Sequence, residues 1–163
     1  GCVVLECDKI NAELLEDPYN QHIIVKNLQL EKFDKKEISK VIFDDAEKKS
    51  WLEGFLHPQI LEAIYKVTNE VVFVEVPLLF EAGWQKYFDK TIVVTCDEEV
   101  ALERLQKYRG FTKEEAMKRI RTQMPKEEKI RLADYEIPNN AGIQQLHETV
   151  RLFLKETGFN CEK

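Results

Sequence analysis

The run Val71-Val-Phe-Val-Glu-Val-Pro-Leu-Leu-Phe-Glu81 constrains this chain more than any other segment. Four of its first six residues are valine, and an apolar, β-branched run without polar alternation predicts a strand buried on both faces. That is the situation of a parallel sheet flanked by helices. In such sheets ligands gather at the carboxyl ends of the strands, where Glu75, Pro77, Phe80 and Glu81 fall. Periodicity alone also allows an ordinary core strand followed by a helix.

The other segments alternate between strand and helix patterns, which points to α/β architecture. Val3-Val-Leu5 reads as a short strand, and Asp8 as the cap of a helix carrying Ile10, Leu14 and Leu15. Asp17-Pro18 is read as the end of that helix, and 19–33 as poorly patterned. Ile38, Val41, Ile42, Trp51, Leu52, Phe55 and Leu56 recur at helical spacing. A break is predicted at His57-Pro58, because the residue before proline avoids the α region. Ile60, Ile64 and Val67 form the next stripe. Beyond the valine run come a turn or short helix at Gly83-Trp84 and a second buried strand, Thr91-Ile-Val-Val-Thr95. Asp97, Glu98 and Glu99 open a helix that Gly110 stops. Thr112-Lys-Glu-Glu115 is a capping box for a helix to about Met124, and a short basic helix runs from Lys126 to Ala133. Tyr135-Glu-Ile137 reads as a strand and Asn139-Asn140 as a turn. Ile143, Leu146, Val150, Phe153 and Leu154 form one face of a last helix.

At 163 residues the chain suffices for one domain with a real core. A net charge of −6 argues against general nucleic-acid binding. No apolar run approaches a membrane span, and no signal peptide is recognisable. Cys2, Cys7, Cys96 and Cys161 lack metal-ligand or C-x-x-C spacing. Cys7 and Cys96 read as small core residues, and a reducing, cytoplasmic location is the expectation. The charge is uneven: residues 104–131 hold ten Lys or Arg against four acids, +6 in that stretch and −12 in the remainder. A basic helical hairpin between two α/β units has the shape of a lid over phosphates, or is a packing element.

Three constellations carry possible chemistry. Glu6-x-Asp8 could orient a hydroxyl, accept its proton or help hold Mg²⁺, or be only a helix cap and a surface acid. Arg119, with Gln123 one turn on, could stabilise charge in phosphoryl transfer or be a surface arginine. His57 before Pro58 contacts a ligand or caps the helix break. The sequence shows no Ser/His/Asp constellation, zinc site or redox pair.

The combined pattern resembles one family. Asp8-x-Ile10, Leu56-His-Pro58, Glu75-Val-Pro-Leu-Leu-Phe-Glu81 and Leu102-Glu-Arg-Leu105 occur in the order seen in dephospho-coenzyme A kinases. Gly110-Phe-Thr-x-Glu-Glu-Ala116, Arg119-Ile-x-x-Gln-Met-Pro125 and Ile137-x-Asn-Asn140 continue that order. The resemblance runs from about Val3 to the final helix. It implies an α/β fold of P-loop kinase type: a three-layer parallel sheet with a helical substrate-binding insertion and a small helical lid. The chain would be a single kinase domain, with core segments at about 1–10, 70–97 and 134–163. The coenzyme-binding helices would span about 11–69 and the lid about 104–131.

The implied activity is ATP-dependent phosphorylation of the ribose 3′-hydroxyl of dephospho-CoA, the last step of coenzyme A biosynthesis. ATP and Mg²⁺ would enter as co-substrate and ion, with no tightly bound cofactor and no dedicated protein metal site. The partners would be these small molecules, with no nucleic acid and no membrane, and the protein would be a monomer or weak oligomer. Asp8 matches the second acid of the family's D-x-D, the proposed base, and Glu6 sits where the first Asp is usual. Arg119 matches the lid arginine at the transferring phosphate. His57, Pro77, Leu78, Phe80 and Glu81 would line the dephospho-CoA side, and Arg104, Arg109, Asn139 and Asn140 the ATP side.

Some positions depart from the family pattern. Tyr108 stands where an Arg is common, with Arg109 beside it; Ala12 and Lys35 replace arginines, and Pro138 replaces an Asp. No G-x-x-x-x-G-K-[ST] occurs among the residues. The family places that phosphate loop at its extreme N-terminus, on a strand and helix of about 25 residues by βαβ dimensions. The expectation is that these residues are not the whole natural chain and do not turn over by themselves. The alternatives are a non-catalytic coenzyme-binding module, or a kinase of the same fold for another nucleotide. The DNA preceding the Gly1 codon is expected to encode G-x-x-x-x-G-K-[ST]; reading it and finding none would favour the binding module.

Overall fold

The computed structural model describes residues 2–159, which form two compact units, one ending at Pro77 and the other starting at Leu78. In the first, strands β1 (Val3–Glu6) and β2 (Val72–Glu75) pair in parallel, with Val3 opposite Val72 and Glu6 opposite Glu75. A parallel pair needs a long crossover. Four helices supply it: α1 (Cys7–Leu14), α2 (Pro18–Leu28), α3 (Lys35–Asp44) and α4 (Ala46–Tyr65).

The core of this unit lies among the helices. Ile24 and Leu28 of α2 are fully enclosed, and Ile38, Leu52 and Leu56 complete the cluster. The Trp51 and Phe55 rings stack with centroids 5.5 Å apart. Asn20, 3% exposed, donates to the Leu14 carbonyl (2.9 Å) and to Gln59 Oε1 (3.1 Å), tying α2 to α1 and α4.

Three expectations are corrected here. The 19–33 stretch holds a full helix, because Asp17-Pro18 acts as a start as well as a stop. The Asp17 carboxylate accepts the Tyr19 and Asn20 N–H groups, and Pro18 takes the first helical position, where its missing N–H costs nothing. His57-Pro58 does not break α4. The carbonyl that Pro58 deprives of a donor is that of Gly54, and both residues are exposed, so the loss falls on the solvent side and not in the core. The buried stripe Leu52, Leu56, Ile60, Ile64 runs past the proline without interruption. Asp8 is no cap: α1 starts after Glu6, and Asp8 sits in its first turn.

In the second unit β3 (Ile92–Thr95) and β4 (Tyr135–Pro138) pair in parallel, Ile92 opposite Tyr135 and Thr95 opposite Pro138. Their crossover is α5 (Glu98–Arg109), α6 (Lys113–Thr122) and α7 (Lys126–Leu132); α8 (Ile143–Thr157) packs back on β4. Gly110, at φ 69°, adopts the left-handed conformation that ends α5, and Thr112 with Glu115 forms the expected capping box. Asp134 accepts the Thr91 backbone N–H (2.8 Å) and hydroxyl (3.0 Å) and returns its own N–H to that hydroxyl. This clasp sets the β3–β4 register. Tyr135, Phe153 and Phe159 form an edge-to-face trio behind it.

The strands are less buried than their composition predicts: Val72, Phe73 and Val74 of the valine run are half-buried, and Val4 of β1 and Val94 of β3 are 60% and 61% exposed. In a two-stranded sheet each strand has a neighbour on one side only, which leaves part of its apolar surface open. Cys96 is half-buried, not core, and Ile143 lies exposed at the start of α8. Ile24→Ala should cost about 2–5 kcal/mol in urea unfolding. Phe43→Ala, at an 89% exposed site, should stay within about 0.5 kcal/mol.

Candidate active site

In the first unit the carboxyl ends of β1 and β2 make an acidic rim. Glu6 is in register with Glu75, and Asp8 follows on the exposed first turn of α1. Glu6 forms an ion pair with Lys9. Cys7, between the two acids, is buried and free. Burial, then the charges of Asp8 and Glu75, push its thiol up to about 11. Burial is the larger cause, and the two carboxylates add to it. Such a rim repels bare phosphate but suits a group that takes a proton from a hydroxyl or attracts a cation. Pro77, exposed, is two residues past Glu75; His57 is half-buried within α4.

The second unit opens with a tight turn. Leu78 holds φ 56°, a left-handed conformation costing roughly 1–2 kcal/mol for a side chain of this kind. Its carbonyl accepts the Ala82 N–H, and the Leu79 carbonyl that of Trp84. Phe80 and Trp84 are buried anchors, while Leu78 is 51% exposed. Between the anchors, Glu81 Oε1 accepts the Met124 N–H and pairs with Lys129 Nζ, each at 3.0 Å. Burial pushes the Glu81 carboxyl up. The Met124 N–H and Lys129 outweigh it and leave the group below the ordinary carboxylate range.

The basic hairpin is α6 and α7, bent at Gln123–Pro125. Arg119, in the last turn of α6, lays its guanidinium over the Phe111 ring at 4.6 Å. Arg104 donates to the carbonyls of Asn139 (2.7 Å) and Ala141 (2.8 Å). Asn140 accepts the Asp97 N–H (2.7 Å), and Asp97 pairs with Lys126 (3.0 Å). So Arg104, Asn139 and Asn140 come together beyond the ends of β3 and β4, with Arg104 shaping the 139–141 loop. Arg109 stands exposed in the last turn of α5. Among the described residues no group of three or more His, Cys, Asp or Glu could hold a metal ion.

Several participants were not singled out by sequence reasoning. Lys129 and the Met124 amide answer Glu81 from 43 residues or more away, and Asp134 answers Thr91 across 43. The only local signal was Met-Pro at 124–125, which marks a helix junction.

The family profile for dephospho-CoA kinase (CoaE) matches residues 3–145. A Fusobacterium nucleatum dephospho-CoA kinase is 35% identical over 163 residues, covering 94% of this chain and 84% of that protein. Among solved structures, a Thermus thermophilus protein is similar at TM-score 0.78 and a Campylobacter jejuni dephospho-CoA kinase at 0.69. Both are 28% identical, and each match covers 96% of this chain and 85% of the other.

With a thiol near 11, only about one Cys7 in a thousand is a thiolate at pH 8. Iodoacetamide labelling followed by peptide mass analysis should find Cys7 modified at least about tenfold more slowly in the native protein than in urea.

Proposed function

We propose a function that starts from one premise: this chain belongs to the dephospho-CoA kinase family. It transfers the γ-phosphoryl group of ATP to the ribose 3′-hydroxyl of dephospho-CoA, giving coenzyme A, ADP and a proton. The observation that carries this reading is the continuous family match over residues 3–145, which takes in both the Glu6-Cys-Asp8 rim and the Arg119 hairpin.

Asp8 is the proposed base. Its exposed carboxylate, in a rim that already repels electron-rich phosphate, takes the hydroxyl proton as the oxygen attacks the γ-phosphorus. The bond from that phosphorus to the β–γ bridging oxygen breaks, and ADP leaves. Glu6 orients the same hydroxyl. Arg119 leaves the face of Phe111 to meet charge on the transferring group, a contribution of the kind worth about 10³–10⁵ in kcat. His57, Pro77, Leu78 and Phe80 serve the acceptor, on the segment that also carries Glu81. Arg104, Asn139 and Asn140 form the loop, and Arg109 the helix end, assigned to the nucleotide. Mg²⁺ arrives with ATP, because this ion is held chiefly by phosphates and one or two carboxylates. We place the reaction in the cytoplasm; no helix among the described residues is long and apolar enough to cross a membrane.

Protein expressed from its complete gene should convert dephospho-CoA and ATP to coenzyme A and ADP with Mg²⁺ and leave nucleoside monophosphates unphosphorylated. Asp8→Asn should lower kcat about 10²–10⁴-fold with its circular dichroism unchanged. Absence of turnover with both substrates and Mg²⁺ would sink the proposal.

A further inference from the structure

Glu81 belongs to a segment assigned to the acceptor, yet its carboxylate faces elsewhere. One oxygen holds both the Met124 N–H, at the bend of the basic hairpin, and Lys129 Nζ, one turn into α7. The side chains of this ion pair are 18% and 23% exposed, less than in any other pair found among the described residues. Lys129 also donates to Gln123 Oε1 at 3.2 Å, so both sides of the bend are joined through one cation.

The carboxylate is itself held firmly. It projects from a turn closed by three backbone hydrogen bonds, Ala82 to Leu78, Gly83 to Phe80 and Trp84 to Leu79, between the buried anchors Phe80 and Trp84. The bend it grips lies between two helices, outside their hydrogen-bond ladders. α6 ends at Thr122, and Pro125 has no N–H with which to continue a helical ladder. Arg119 lies in the last turn of α6, five residues before the gripped amide.

We infer that Glu81 is a positioning residue that fixes the bend of the α6–α7 hairpin, and through it Arg119, relative to the Leu78–Trp84 turn. The inference rests on the kinase reading and deepens it. Glu81 acts on the reaction through the hairpin, and contact with the acceptor is left to other residues of its segment. Two bonds converge on one carboxylate, so its loss frees both the amide and the cation at once. Displacement of a charge-stabilising group by about 1 Å is enough to cost on the order of a hundredfold in rate.

The test uses the protein from its complete gene, with Glu81→Ala, Glu81→Gln, Lys129→Met and the Glu81→Ala/Lys129→Met double variant. Steady-state kinetics are combined with amide hydrogen exchange across residues 119–129. Glu81→Ala should lower kcat about tenfold to a hundredfold while the KM for dephospho-CoA moves less than about threefold, because the lost interaction acts in the transition state. Exchange at Met124 should accelerate in the same variant. Glu81→Gln keeps an acceptor for the Met124 N–H and should recover most of kcat. The double variant should lose no more than Glu81→Ala alone, as expected of residues acting as one unit. A rise in KM with kcat unchanged would make Glu81 an acceptor contact and overturn the inference. So would unaltered Met124 exchange in Glu81→Ala, a result that needs no activity. Wild-type protein without turnover would instead overturn the kinase reading, whatever the exchange data show.

Discussion

Both strand pairs in this protein are parallel, and a parallel pair cannot be closed by a turn. The chain leaves the end of one strand and must travel back along the sheet before it can pair again. Everything between β1 and β2 is one such return, built from α1 to α4; everything between β3 and β4 is another, built from α5 to α7. The first return became a helical body with a core of its own around Ile24, Leu28 and Leu56. The second is thin, basic and bent in the middle. Polar and acidic side chains gather at the strand ends in both units: Glu6, Asp8 and Glu75 in one, Asp97, Asn139 and Asn140 in the other.

Charge divides along the same lines. The β1–β2 rim gathers Glu6, Asp8 and Glu75, and the last two add to the burial that raises the Cys7 thiol. The 104–131 stretch carries ten cations against four acids. A kinase has to abstract a proton at one group and quench negative charge at another, and these tasks need opposite fields. Several cations of the basic stretch are nonetheless tied to the protein. Lys126 pairs with Asp97, Lys129 with Glu81, and Arg104 binds two backbone carbonyls. Arg119 is exposed and rests on the Phe111 ring, a contact worth about 0.5–1 kcal/mol at such a site, and can leave it at low cost.

Local codes were legible where they act over a few residues. The Thr112–Glu115 capping box, the Gly110 stop and the acids opening α5 all stand as their spacing implies. Two other codes were ambiguous on their own terms. Asp-Pro at 17–18 closes one helix and opens the next, and only the burial of Ile24 and Leu28 shows that the second helix exists. Pro58 ought to break a helix, but its deprived carbonyl faces water while a buried stripe continues on the opposite face. Packing outweighed propensity there, as is usual when the two compete. The valine run was legible as a strand but not in its exposure, which depends on what lies beside it.

By itself the sequence determined the strands, the Thr112 and Gly110 caps and the family to which the chain belongs, since these rest on residue types and spacings within single segments. Only the tertiary structure decided which charged groups are already engaged. Glu81 reads in the chain as one more residue of an acceptor-facing motif; in the fold its carboxylate holds an amide 43 positions away. Arg104 reads as a ligand for the nucleotide and proves to clasp carbonyls 35 and 37 positions on. The physical reason is range. Helix and strand preferences are settled within about four residues, whereas a carboxylate's partner is whichever donor the crossover returns to it.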